Sequence, residues 1–270
     1  MFKHFRLCVI LLFIYPIVSH ASFGYSPSGP QSLALSYTGA AGVVGIFSAF
    51  NNPALLPSMS AGMATSYRNY YGIRNLADVA IGAVFKIKGW PLALSAERRG
   101  FNLYSETTLS IGSAYRINKT VSVGVSIPVY ALKIKNYGQA STVGITAAIH
   151  YKVFNNLQIA AIGGNLNMPT LGRANESVPV YGTLALAYSP SGNMNVYLDI
   201  YKEDVMPFEY RLGARFQISP VLHLLAGFRE GVNSYSAGMD VKVFSYHIQY
   251  GIEFHPRLNI SHTFGFSYDF

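Results

Sequence analysis

Charge is scarce in this chain. Asp, Glu, Lys and Arg make up 12% of its 270 residues, against about 25% in soluble domains, which leaves too little polar cover for an ordinary water-facing surface. Cysteine is nearly absent: the single one, Cys8, rules out an internal disulfide framework. After residue 21 no uninterrupted apolar run reaches the roughly 20 residues that a membrane helix needs. The basic balance, formally +8, comes without a basic run or a basic–aromatic cluster, which sets nucleic acid aside as a partner. No H-x-x-x-H pair and no Gly-x-Ser-x-Gly elbow occur, so no metal site, cofactor or catalytic residue is expected and the chain does not read as an enzyme.

What is present is apolar and aromatic. Half of the residues are hydrophobic, with 20 Tyr, 17 Phe and 25 Gly, and the mean hydropathy is +0.25. Residues 1–21 have the form of a secretory signal peptide: Lys3 and Arg6 form a basic start, Leu7 to Val18 an apolar core, and Ser19-His20-Ala21 a small-x-small cleavage site. Cys8 lies in that core, away from the position a lipoprotein would use. Removing Lys3 and Arg6 from the 20 basic residues leaves 18 against 12 acidic ones, a formal charge of +6. The expected localisation is the outer membrane of a Gram-negative-type bacterium. Three regions follow: leader 1–21, an irregular segment 22–60, and a strand series 61–270.

The strand series is written in period two. Phe264, Phe266, Tyr268 and Phe270 alternate with Thr263, Gly265, Ser267 and Asp269, and the same alternation runs through 121–129, 208–218 and 246–254. Strands are expected near 61–71, 76–87, 91–101, 105–117, 120–133, 139–153, 156–166, 179–189, 193–203, 208–219, 221–230, 233–243, 245–254 and 259–270. About fourteen strands, an even number, suit a bacterial transmembrane barrel, which leaves no backbone edge unpaired in lipid. The apolar faces of the central strands are nearly free of charge. The opposite faces keep Arg68, Glu97, Arg99, Arg116, Lys152, Asp199, Glu209, Arg211, Arg215, Arg229, Asp240, Lys242 and Glu253. Lipid explains this asymmetry, because a Lys or Arg at the bilayer midplane costs about 2–4 kcal/mol. Tyrosines near strand ends, with Trp90, suit interfacial girdles. Tight turns at Asn118-Lys119, Asn155-Asn156, Ser191-Gly192 and Ser219-Pro220 mark one end of the barrel; longer links, above all 167–178, mark the other, and none reads as long enough to cover the mouth.

Segment 22–60 does not alternate. It is rich in Gly and Ala, with Gly39, Gly42 and Gly45 spaced for close packing, and Asn51-Asn52-Pro53 reads as a turn. The runs Ser32-Leu33-Ala34-Leu35, Gly39-Ala40-Ala41-Gly42 and Phe47-Ser48-Ala49-Phe50-Asn51-Asn52-Pro53-Ala54-Leu55-Leu56 resemble the N-terminal hatch of the FadL-type outer-membrane barrel superfamily, nearest to its PorV/PorQ-like branch associated with type IX secretion. The ending Thr263, Gly265, Tyr268, Phe270 is similar to the assembly signal of outer-membrane barrels. The resemblance implies a hatch folded into the lumen, with Phe47, Phe50, Asn51, Asn52, Pro53 and Ala54 where a ligand would meet it. One departure stands: no acidic residue flanks the Asn-Pro-Ala motif, as one does in long-chain fatty acid transporters.

The expected role is therefore that of a type IX accessory that binds or shuttles exported proteins. The alternatives are a FadL-like passive transporter of hydrophobic compounds and a structural or general porin. Expected partners are membrane lipid, the barrel assembly machinery, and either secretion components or exported proteins, met at 167–178 and 134–139, or a hydrophobic small molecule. Both signs of charge interleave on the polar faces, so an ion-pair network filling a plugged interior is expected ahead of a basic conduit for anionic or amphipathic ligands. Pro128 stands out because it falls within an alternating strand, where proline removes a ladder hydrogen bond; a bulge there would open the wall sideways, as the resemblance implies.

Overall fold

The structure, a computed structural model, describes residues 22–204 and 206–270; the expected leader lies outside the described residues. Two short α-helices, α1 (Pro30–Ala34) and α2 (Ser48–Asn51), and a 3-10 helix, Pro53–Ser58, precede the strands. The strands are β1 (Gly62–Asn69), β2 (Ala77–Ile87), β3 (Trp90–Gly100), β4 (Tyr104–Arg116), β5 (Val121–Ile134), β6 (Gly138–Val143), β7 (Thr146–Phe154), β8 (Leu157–Gly164), β9 (Thr170–Leu171) and β10 (Glu176–Ser177). They continue with β11 (Tyr181–Ser191), β12 (Met194–Glu203), β13 (Glu209–Ser219), β14 (Leu222–Arg229), β15 (Ser234–Val243), β16 (Tyr246–Phe254) and β17 (Ser261–Asp269).

Every neighbouring pair in the wall is antiparallel, and β17 returns to β1 from Gly62↔Asp269 to Asn69↔His262. With β6 and β7 as two halves of one strand, the result is a closed fourteen-strand transmembrane barrel, and β9–β10 is a separate hairpin. Burial is inverted relative to a water-soluble protein. Arg68, Asp199, Asp240 and Thr263 are buried, whereas Ile81, Leu184, Ile248 and Phe264 are exposed at 56–61%. The polar face of each strand lines the interior and the apolar face meets lipid, as period two requires.

Two-residue turns such as Lys88-Gly89, Asn155-Asn156 and Phe244-Ser245 join strands at one end. Longer links, 70–76 and 165–180 among them, occupy the other, which we take as the outer end. The strand expected over 139–153 is split, and Pro128 accounts for the split. Register runs unbroken from Ser126↔Thr146 to Val129↔Val143, so there is no bulge there. Gly144 N–H donates to Pro128 O at 2.8 Å, but Pro128 has no N–H to return, and the ladder lapses at Gly144-Ile145. Pro128 lies within β5, not at its end.

Candidate functional site

Hatch residues fill the lumen from one end to the other, and the wall is hollowed to receive them. Five successive strands each contribute one inward glycine: Gly213, Gly227, Gly238, Gly251 and Gly265. A Cβ at Gly251 would lie 2.4 Å from Pro30 O, one at Gly238 2.4 Å from Ala34 Cβ, and one at Gly227 2.4 Å from the Leu35 carbonyl carbon. Only glycine lets α1 approach this closely. On the far side Gly124 performs the same service for the Pro53–Ala54 backbone. The hatch glycines that the sequence singled out face side chains instead: Gly39 faces Val44, Gly42 faces Tyr197, and Gly45 faces Gln31.

The Asn-Pro-Ala motif is a structural stitch. Asn52 is fully buried; its Oδ1 accepts from Ala54 N–H at 2.9 Å, and its Nδ2 donates to Ala40 O at 2.6 Å. Pro53 opens the 3-10 helix, where its missing N–H is not needed. Ser122 Oγ on β5 donates to Ala54 O at 2.7 Å, which ties the motif to the wall. Phe47 is buried, and the half-buried Phe50 meets it edge-on with 6.1 Å between ring centroids. The half-buried Asn51 reaches Ser32.

The inward charges pair into groups that grip the hatch. Thr263, Arg68, Asp78, Arg99 and Glu106 are register partners in sequence across β17, β1, β2, β3 and β4, so opposite charges stand side by side. Arg68 donates to Thr263 Oγ1 at 3.1 Å, Ser26 Oγ at 2.8 Å and Pro27 O at 2.7 Å. Arg99 faces Glu97 at 3.2 Å, Asp78 at 3.8 Å and Glu106 at 3.9 Å, and Ser28 Oγ donates to Glu97. In a second group Arg211 pairs with Glu209 at 2.5 Å, and Arg229 pairs with Glu253 at 3.1 Å. Tyr37 sits between the two groups, with the guanidinium carbons of Arg229, Arg68 and Arg211 at 4.9, 5.6 and 5.9 Å from its ring centroid. Consecutive left-handed residues, Ser36 and Tyr37 with φ of 52° and 64°, turn the chain sharply enough to put it there. Burial pushes the Tyr37 phenol above its usual value, so it stays a neutral donor to Glu253 at 3.4 Å.

A third group lies toward the tight-turn end: Arg215 and His247 meet Asp240 at 3.5 and 2.9 Å, and Gln31 of α1 donates to Asp240 at 3.0 Å. Asp199 accepts Ala40 N–H at 3.2 Å. Arg116 is exposed at the rim and donates to Pro57 O at 2.5 Å, and Lys152 is half-buried on β7. Among the sequence-selected charges, the structure thus joins Glu209 with Arg211 and Arg215 with Asp240. Glu253 joins through Arg229 and Asp199 is the register partner of Arg211, while Arg116 and Lys152 stand apart from these groups. Among the described residues no group of three or more His, Cys, Asp or Glu side chains is arranged to hold a metal ion.

The hatch does not fill the lumen completely. A cavity of about 130 Å³ lies between hatch residues 23–28, Phe47 and Phe50 on one side and β2–β5, Thr146, Asn165 and Tyr181 on the other, with Pro128 in its wall. It abuts the place where β8 leaves the sheet. Asn165, left-handed at φ 56°, accepts from Tyr130 OH at 2.9 Å and donates to Pro179 O at 2.7 Å. Among the described residues no strand pairs with the second edge of β6; residues 165–180 adjoin it, Leu166 N–H bonding Ile145 O and Asn167 Nδ2 bonding Val143 O. Contrary to the expectation that no outer link covers the interior, this segment folds inward: Leu171 and Val178 pack with Phe23 and Tyr130, and Ser22 Oγ donates to Glu176.

Of the C-terminal residues, Thr263 is buried, Gly265 lies against Pro30, and Phe270 is exposed at 69%. Tyr268 packs at a tilt against Tyr246, with ring centroids 4.8 Å apart.

No protein-family model matches the chain, and no curated protein matches it in sequence. Solved structures do match in shape. The Pseudomonas putida toluene transporter TodX aligns at TM-score 0.70 and 12% identity, covering 92% of this chain and 99% of that one. The Ralstonia pickettii toluene transporter TbuX aligns at 0.69 and 12%, covering 90% and 98%. A Pseudomonas aeruginosa FadL homologue aligns at 0.65 and 10%, covering 93% and 100%. At these identities the likeness is one of fold alone.

Proposed function

We propose that the chain, exported and freed of residues 1–21, is a passive outer-membrane channel for small apolar or amphipathic compounds, with segment 22–60 as its hatch. The observation that carries this reading is the position of the cavity. It lies between hatch and wall, and it reaches the seam of Pro128, Gly144 and Asn165, where bonds of the Asn165 and Asn167 side chains stand in for part of the strand pairing. A compound entering from the outer end would pass residues 23–28, rest against Phe47 and Phe50, and leave sideways through that seam into the membrane. The names of the structural neighbours, two of them toluene transporters, agree with this class of cargo. No chemistry is assigned to the protein; it binds and releases.

A second reading, a PorV/PorQ-like accessory that binds or shuttles proteins exported by type IX secretion, draws on the short outer connections, such as Phe101-Asn102-Leu103 between β3 and β4. They leave little apolar platform for gathering a hydrophobic ligand from outside. Uptake of labelled small aromatic compounds by intact cells with and without the protein tests the first reading, and mild-detergent pull-down from the native outer membrane tests the second. Faster uptake that is lost on deleting residues 23–28 supports the channel. Unchanged uptake together with co-purified secretion components overturns it in favour of the accessory.

A further inference from the structure

The cavity is the right size for one ring but has the wrong lining for a hydrocarbon. A cavity of about 150 Å³ lined only by apolar side chains holds benzene, and this one measures about 130 Å³. Its hatch side carries three phenyl rings, Phe23, Phe47 and Phe50, set among Ser26, Ser28 and Asn51. Its wall side is a patch of hydroxyls: Ser95, Thr108, Ser110 and Ser126, on β3, β4 and β5. Ser95 and Ser110 are register partners, and Thr108 and Ser110 lie two apart on one inward face. None of the four side chains has a hydrogen-bond partner among the described residues, so each must be served by water or by cargo. An apolar ring that displaced that water would strand all four.

Charge narrows the class from the other side. Glu97 and Glu106 border the cavity, and the one cation with them, Arg99, is already shared among Asp78, Glu97 and Glu106. A carboxylate ligand would meet two carboxylates and no free cation.

We infer that the cavity selects neutral, hydroxyl-bearing single-ring compounds over both hydrocarbons and carboxylates; the inference rests on the channel reading above and names its cargo class. Ring stacking on the hatch phenyls and hydrogen bonds to the Ser95–Ser110 patch would hold such a molecule with one face apolar and one edge polar.

The test is calorimetric titration of the purified full-length mature protein in detergent with catechol, toluene and benzoate against matched micelle blanks, paired with uptake of the same three compounds by intact cells. Catechol is expected to bind about ten-fold or more tightly than toluene, with benzoate weakest. The Thr108→Val/Ser110→Ala variant is expected to narrow the catechol–toluene gap, and SDS-resistant, heat-modifiable migration checks that its barrel is intact. Toluene binding as tightly as catechol, or a gap unmoved in the folded variant, overturns the cargo class while uptake of toluene keeps the channel standing. Benzoate binding tightest overturns the exclusion of anions. Absence of protein-dependent uptake for all three compounds overturns the channel reading itself, and this inference with it.

Discussion

Gly251→Ala separates the hatch from the wall with a single methyl. The added Cβ would lie 2.4 Å from Pro30 O and 3.4 Å from Ala34 N, whereas ordinary contact between such atoms is about 3.5 Å. The start of α1 must therefore move by about 1 Å, because β16 is held by its ladders to β15 and β17. Overpacking of this kind costs about 1–3 kcal/mol. The same displacement stretches the Gln31–Asp240 hydrogen bond from 3.0 Å beyond bonding range, and a bond to a charged group contributes about 1.5–3 kcal/mol. Hatch docking should weaken by about 2.5–6 kcal/mol, while the wall, whose inter-strand bonds are untouched, stays folded. Single-channel conductance in planar bilayers and limited proteolysis of residues 22–60 are the assays, with SDS-resistant migration reporting the wall. Gly192→Ala is the control, since nothing lies within 4 Å of its Cβ. A Gly251→Ala variant with wild-type conductance and wild-type protease resistance would refute the claim that the inward glycines seat the hatch.

Three further outcomes are expected. Arg68→Met removes a fully buried cation and leaves Asp78 and Glu97 without it, so the folded protein should lose about 3–5 kcal/mol in denaturant titration. Arg68→Lys should recover only part of this, because one ammonium cannot reach Thr263, Ser26 and Pro27 together. Phe270→Ser should reduce the yield of membrane-inserted barrel while leaving the denaturation midpoint of inserted protein within about 0.5 kcal/mol of wild type, since Phe270 is exposed and its N–H bond to Ala61 O is backbone only. In hydrogen exchange, the amides of residues 23–28 should exchange ahead of those of 35–38. Among the described residues the first group has a single protein acceptor, Glu203 for Tyr25 N–H, whereas each amide of the second donates to a backbone carbonyl of α1 or of Leu35 just after it.

Period two made the wall readable because lipid outside and a polar filling inside impose opposite demands on alternate residues, and the closing strand from Ser261 to Asp269 shows this most openly. Pro128 was readable as an anomaly, but its effect was not, because the hydrogen bond it lacks belongs to Gly144 on the next strand, and period two says nothing about register between strands. The same blindness hid the Arg68–Asp78–Arg99–Glu106 row. Arg68 and Arg99 read as inward in their own strands, Asp78 and Glu106 near their strand ends did not, and the row exists only once β1 to β4 are set side by side. The glycines show the limit most sharply. In sequence, Gly213, Gly227, Gly238, Gly251 and Gly265 occupy inward positions where serine would fit the pattern equally well. Their necessity comes from α1, a five-residue helix more than 170 positions away, and from the Leu35–Thr38 turn that follows it, both docking close against the wall. Hatch and wall therefore specify each other. The wall charges Arg68, Asp199, Asp240 and Arg116 each bind a hatch group, and three of these four contacts meet hatch backbone rather than side chain. Side chains hold the hatch as well, Ser28 to Glu97 and Tyr37 to Glu253, and Phe47 and Phe50 pack with Ala64, Ala80 and Val84 of the wall, so a change at the cavity rings alters cargo contact and docking together.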